Sequence, residues 1–252
     1  ASQIVTANKN PVGLFSYDDY KTLTGDPQRY KYSATAMAGL GAVPWLSERH
    51  TIQDHIHEIN ASLSGTVGFI TDALAHGYAL SEAIKKARKA GYTEPDYRDD
   101  LNGVDVARKL TILAREAGFP VEYGDIHVEP FLPQEYLEMA DPEECLKRIE
   151  KDFDHVIAAK YADARKRGMT LKYLASLETT DGKPLLKVKL QEVAEDSAFG
   201  KLEETNNRIE VVTDMYSKER PYKLEGPGAG LDITASVVRR DLLKLQKQVS
   251  RF

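Results

Sequence analysis

The chain has 252 residues, of which 42% are hydrophobic and 29% charged, with a formal net charge of −5. That length and balance describe a globular protein with a real buried core. Interspersed acids and bases with no basic stripe exclude a nucleic-acid partner, and no apolar run approaches the roughly 20 residues needed to span a bilayer.

The lone Cys145 cannot form an internal disulfide and suits a reducing compartment, so a cytoplasmic protein with no membrane partner is expected. "ASQIVTANKNP" does not read as a secretory signal, and the missing initiator methionine reads as a processed or truncated start. "QIVTAN" predicts a short strand that turns out at Lys9 and Asn10. Pro11 and Gly13 then lead to a short helix near "YDDYKTL", closed by "TGDPQ". "YSATAMAGLGAVPWL" is rich in small residues, which predicts a loop whose backbone approaches something closely.

"DHIHEINASLSG" alternates like a strand, and "TVGFITDALAHG" is a helix stopped at Gly77. "LSEAIKKARKAG" is a helix opened by Ser81 and closed by Gly91, with Lys85 to Lys89 on an exposed face. Val104 to Ala117 is a helix ended by Gly118 and Pro120, followed by a short strand in "GDIHVEP". Pro142 to Met169 reads as one long helix with an apolar face through Leu146, Ile149, Phe153, Ile157 and Tyr161. A hairpin around Asp181-Gly182, strands in "NRIEVVTDMYS" and "PYKLEG", and a terminal helix after "GPGAG" complete the chain. Irregular helix–strand alternation followed by clustered strands predicts an α+β fold, with helices packed on a mixed, largely antiparallel sheet.

Chemistry concentrates in "GYTEPDYRDDLNGVDVARKL", where Glu94, Asp96, Asp99, Asp100 and Asp105 precede Lys109. On a helix, Val106, Leu110, Leu113 and Ala117 form one apolar stripe, and Arg108, Thr111 and Arg115 are expected in water. Asp105 and Lys109 are neighbours at the border of that stripe. Partial burial and adjacent carboxylates push a lysine in opposite directions, so its protonation can be tuned for proton transfer to a carbonyl oxygen or from a hydroxyl. Nearby carboxylates could grip an ammonium group. From spacing alone the blander reading weighs more: an acidic helix start and a surface pair worth about 0.3–0.5 kcal/mol. His55 and His57 alternate on a strand with no third ligand at diagnostic spacing, which favours a solvated face over a metal pair. Trp45 and the tyrosines read as packing residues. "GPGAG", taken alone, reads as a plain turn.

The segment "GYTEPDYRDDLNGVDVARKLTILARE" closely resembles the signature of homoserine dehydrogenases, including those fused to an aspartokinase. "VTANK", "LSGTVGFI" and "GPGAGLDITASVVRRDLL" resemble further family motifs, in the family's order and across nearly the whole chain. The resemblance implies NAD- or NADP-dependent interconversion of aspartate 4-semialdehyde and homoserine. It makes Lys109 the proton donor and acceptor, with Lys9 facing the substrate. Glu94, Asp100, Asp105 and Thr66 would form the amino-acid pocket, and Gly91 and Gly230 would approach the cofactor through backbone. It also implies a monovalent cation on the carbonyls of Ala36, Ala38 and Leu40. There Ser33 replaces the family glutamate and Gly41 its proline, which weakens the ligand set. Tyr97 stands where the family usually has proline, which loosens that loop.

The implied domains are 1–29, the end of a Rossmann-type nucleotide domain whose glycine fingerprint lies upstream; 30–217, a catalytic and dimerisation domain; and 218–252, the return to the nucleotide domain. A homodimer is expected. The rival reading is an inactive amino-acid-binding or dimerisation fragment.

Overall fold

The structure, a computed structural model, describes residues 2–249 and the side chains of residues 2–246. Residue 1 and residues 250–252, at the outer ends of the two flanking stretches, lie outside the described residues.

Strand β1 (Ile4–Val5) leads into α1 (Asn10–Gly13), with Pro11 in its first turn, where a missing N–H costs nothing. In α2 (Tyr17–Thr24) the cap Ser16 accepts a hydrogen bond from the Asp19 amide. Strand β2 (Tyr30–Lys31), absent from the sequence reading, pairs in parallel with β1, Ile4 against Tyr30. The N-terminal strand therefore finds a partner inside this chain.

The small-residue stretch turns tightly, with Met37 and Gly41 both left-handed, and then becomes α3 (Ala42–Thr51). The loop expected through Leu46 is thus helical from Ala42, because Ala42, Val43 and Leu46 bury one face. Gly39 meets the expected close approach: a Cβ there would strike the Pro227 carbonyl.

Strand β3 (Ile56–Ser62), α4 (Gly65–Ala75) and α5 (Leu80–Lys89) follow as anticipated. Ser81 does not open α5. It lies inside the helix, and its hydroxyl donates to Asp154 Oδ2 at 2.6 Å, a tertiary bond that outcompetes capping. Helices α6 (Arg98–Leu101) and α7 (Val104–Glu116) meet at Gly103, whose φ is 79°. A Cβ at Gly103 would run into the Tyr173 hydroxyl, so glycine is required by both torsion and space.

After β4 (Ile126–Val128) and α8 (Gln134–Leu137) comes α9 (Pro142–Arg148), one wider π turn over Ile149–Phe153, and α10 (Asp154–Arg165). The helix expected to reach Met169 stops earlier, because Gly168 turns with φ 70° and Met169 begins β5 (Met169–Thr180). The predicted apolar face from Leu146 to Tyr161 is buried throughout.

Strands β6 (Lys183–Ala194), β7 (Asn206–Thr213) and β8 (Tyr222–Pro227) precede α11 (Leu231–Val249). The six-stranded order is β4-β6-β5-β3-β7-β8, antiparallel except for the β4–β6 pair. Asp181 and Gly182 both have positive φ, the torsions a two-residue hairpin needs. Alternate residues of β5, namely Leu171, Tyr173, Ala175 and Leu177, enter a core shared with α4, α7 and α10. On α7, Leu110, Ile112 and Leu113 are each 0% exposed. Burial of this kind contributes roughly 1.5–3 kcal/mol per side chain and makes α7 a fixed platform.

Candidate active site

The predicted stripe of Val106, Leu110, Leu113 and Ala117 is buried, and Arg108 remains half-exposed. Thr111 and Arg115, expected in water, are instead 0% and 2% exposed. Thr111 Oγ1 donates to the Ala107 carbonyl, while the Arg115 guanidinium meets the carbonyls of Val12, Phe15 and Val121. A second layer, α1 and α2, covers Arg115, and the period of one helix cannot announce that.

At the first turn of α7 the charges converge. Lys109 Nζ lies 2.7 Å from Asp105 Oδ2 and donates to the Leu63 carbonyl at 2.8 Å. Lys9 Nζ, from the cap of α1, reaches Asp105 Oδ1 at 3.1 Å, with Arg108 Nη2 at 3.6 Å. Burial opposes the charge on Asp105, but the Lys109 and Lys9 ammonium groups outweigh it and hold its carboxyl well below the ordinary carboxylate range. Two of the three Lys109 ammonium hydrogens are engaged, leaving one for an incoming oxygen.

The other acids separate into two groups. Asp100 Oδ2 accepts the Glu94 amide at 2.8 Å, and the Thr66 hydroxyl beside it donates to the Tyr92 carbonyl at 2.6 Å. Burial pushes the Asp100 carboxyl upward, and the Glu94 and Asp105 charges push it the same way. This corner is short of positive charge. Asp96 turns aside to pair with Arg98 at 2.6 Å, and Asp99 is exposed on α6. Gly91, exposed with φ 73°, follows α5 just before this loop.

The start of α7 thus presents an ammonium group backed by a carboxylate, near the half-buried Asp100. The family model described as homoserine dehydrogenase matches residues 44–243. This chain belongs to the homoserine dehydrogenase family. A Paracoccidioides brasiliensis homoserine dehydrogenase is 35% identical over 259 residues, covering 98% of this chain and 68% of that protein. A bifunctional aspartokinase/homoserine dehydrogenase 2, chloroplastic, of Zea mays is 35% identical over 245 residues, 96% of this chain and 26% of that protein. The chain therefore spans about a quarter of the bifunctional relatives it matches.

Among solved structures, a Candida auris protein of unknown function superposes with TM-score 0.88 at 28% identity, over 97% of this chain and 70% of that one. A hyperthermophilic archaeal homoserine dehydrogenase in complex with NADPH shares the fold, with TM-score 0.69 at 22% identity, over 98% of this chain and 64% of that one.

In the stretch where homoserine dehydrogenases were expected to hold a cation, Ala36 and Ala38 are buried and Leu40 is half-buried. The Ser33 amide donates to Asp241 Oδ2 at 3.1 Å. Asp241 is 1% exposed and its Oδ1 has no hydrogen-bond donor, the nearest cation being Arg240 Nε at 3.7 Å. A buried carboxylate oxygen without a hydrogen-bond donor is the kind of ligand a hard cation takes, although Arg240 already offsets part of its charge. Gly230 stands exposed with φ 129° at the start of α11.

Among the described residues no group of three or more His, Cys, Asp or Glu could hold a metal. His55 and His57 are exposed and bracket Asp214 at 2.8 and 2.7 Å. Trp45 packs as expected, stacked on Tyr222 at 3.8 Å. No described helix is long and apolar enough to cross a membrane.

Sequence reasoning missed the Leu63 carbonyl, Arg115, Glu116 and Asp241. Glu116 is 4% exposed and accepts hydroxyl hydrogens from Tyr20 at 2.7 Å and Tyr32 at 2.6 Å. Adjacent charged residues at the end of an apolar helix were the available signal.

Proposed function

We propose that this chain is the substrate-binding and proton-transferring part of a homoserine dehydrogenase, interconverting aspartate 4-semialdehyde and L-homoserine. One observation carries the reading: the Lys109 ammonium is held by Asp105 and the Leu63 carbonyl, with one hydrogen to spare. In the reductive direction Lys109 Nζ gives a proton to the aldehyde oxygen, and in the oxidative direction it removes one from the hydroxyl. Asp105 orients Lys109 and Lys9 together, one on each carboxylate oxygen, and Lys9 would face the substrate beside Lys109.

Asp100 and Glu94 receive the substrate ammonium. Its charge relieves their repulsion and the burial cost of Asp100. The Thr66 hydroxyl, tied to Tyr92, fixes the pocket wall. A nicotinamide cofactor, NADP or NAD, would supply or accept the hydride. The NADPH complex of the archaeal relative supports that choice. Gly91 and Gly230 would contact it through exposed backbone, since neither carries a side chain to block approach. The carbonyls of Ala36, Ala38 and Leu40, with Asp241, would hold a monovalent cation. Residues 1–29 and 218–252 would belong with a nucleotide domain and residues 30–217 with the catalytic domain. Two copies would pair through the catalytic domains.

The test is Lys109→Ala in the full-length polypeptide, read as NADP-linked homoserine oxidation. A loss of about 10²–10⁴ in kcat is expected for a proton-transfer group, with partial rescue by small primary amines. A rate within about threefold of the parent would refute the assignment.

A further inference from the structure

The helix that carries Lys109 also holds the backbone that carries Lys9. Arg115 has a side chain 0% exposed, and all its donor nitrogens are used. Nε donates to the Val121 carbonyl at 3.0 Å, Nη1 to Val12 at 3.0 Å, and Nη2 to Phe15 at 2.9 Å and Glu122 Oε2 at 3.2 Å. The Val12 and Phe15 carbonyls lie at and just beyond the end of α1, where a helix leaves its carbonyls without internal partners. Glu122 in turn accepts the Tyr17 amide at 2.9 Å.

Closer to the site, Arg108 Nη1 donates to Asn10 Oδ1 at 3.0 Å. Gly13 presses against α7 so closely that a Cβ would lie 3.1 Å from the Arg108 carbonyl oxygen. Lys9 is the residue that caps α1, three positions before Val12. Its side chain is 34% exposed and flexible, so Asp105 alone does not determine where the backbone delivers it.

We infer that Arg115 is a positioning residue: by gripping the Val12 and Phe15 carbonyls it sets the register of α1 on α7 and so presents Lys9 to Asp105. Arg115 touches neither the acidic pocket nor Lys109. This inference rests on the proposed role of the two lysines, and the experiment separates the two.

In the full-length polypeptide, Arg115→Lys, Lys9→Met and the double variant are compared. Lysine keeps the charge but cannot reach four acceptors with one compact ammonium group. Two quantities are read: acetylation rates of Lys9 and Lys109 by mass spectrometry, and kcat. Arg115→Lys is expected to speed labelling of Lys9 about fivefold or more while Lys109, held by Leu63 and Asp105, stays within about twofold. It should lower kcat about tenfold in the parent and leave it nearly unchanged in the Lys9→Met background, the non-additivity of residues that act through one another.

Equal acceleration at both lysines, unchanged labelling, or additive losses in kcat would overturn the inference. Selective release of Lys9 with kcat untouched in both backgrounds would uphold the positioning and defeat the catalytic role of Lys9. If Arg115→Lys does not fold, Glu122→Ala removes the exposed end of the same clamp, its bonds to Arg115 and to the Tyr17 amide. It should release Lys9 selectively by about threefold, and no selective release overturns the inference.

Discussion

Glu116 offers a test of how the N-terminal segment is held against α7. Its Oε1 accepts both the Tyr20 and Tyr32 hydroxyls, and burial pushes the phenols upward, so they remain protonated donors. Glu116→Leu leaves two buried hydroxyls without an acceptor, at about 1–3 kcal/mol each, or about 2–6 kcal/mol together. Against a typical total of about 5–15 kcal/mol, that loss is large. Glu116→Gln keeps one carbonyl oxygen for both hydroxyls and offers its amide hydrogens to Ser47, so it should cost less than about 1.5 kcal/mol.

The pH dependence has a definite sign. Burial raises the Glu116 carboxyl, so its contribution to stability is full below the ordinary carboxylate value and is lost as pH rises through the raised one. Glutamine does not titrate. Its stability relative to the parent should therefore improve with rising pH, by up to about 1.4 kcal/mol per pH unit within that window. Urea unfolding from about pH 5 to 8 measures both effects. Equal losses in Glu116→Gln and Glu116→Leu, or a glutamine variant that falls behind the parent as pH rises, would refute the reasoning.

Asp100→Asn should retain the bond to the Glu94 amide but weaken the grip on a substrate ammonium, raising KM for homoserine roughly tenfold to a hundredfold in steady-state assays. Because the Asp100 carboxyl is pushed up by burial, the same variant should gain stability over the parent as pH rises above the ordinary carboxylate range. Asp241→Asn keeps an acceptor for the Ser33 amide while removing the carboxylate charge. The concentration of sodium or potassium needed for full activity should rise on the order of tenfold in a salt titration at constant ionic strength.

The arrangement links fold to chemistry through α7. Its first two turns hold Asp105 and Lys109, its middle is locked into the sheet by Leu110 and Leu113, and its last turn grips residues 12–32 through Arg115 and Glu116. One rigid helix therefore fixes both lysines, which arrive from segments about a hundred residues apart. A half-exposed lysine on a four-residue helix would otherwise sample many positions, so the anchoring in the last turn bears on the geometry of the first.

Local pattern alone determined a good deal about this protein. The hairpin at Asp181-Gly182, the stop at Gly77, the strand from Ile56 and the pairing of Asp105 with Lys109 follow from torsional preference and helical period, which act within a few residues. The motif order identified the family and the candidate proton carrier. Tertiary structure decided what lies across from each face. It buried Arg115 under α1 and α2, enclosed Thr111, took Ser81 from its cap to Asp154, and ended a helix four residues before Met169. It also split the acidic cluster, sending Asp96 to Arg98 and leaving Asp100 beside Glu94. Those outcomes depend on long-range partners, and a charge on a helix reads the same in sequence whether water or another segment's carbonyl group meets it.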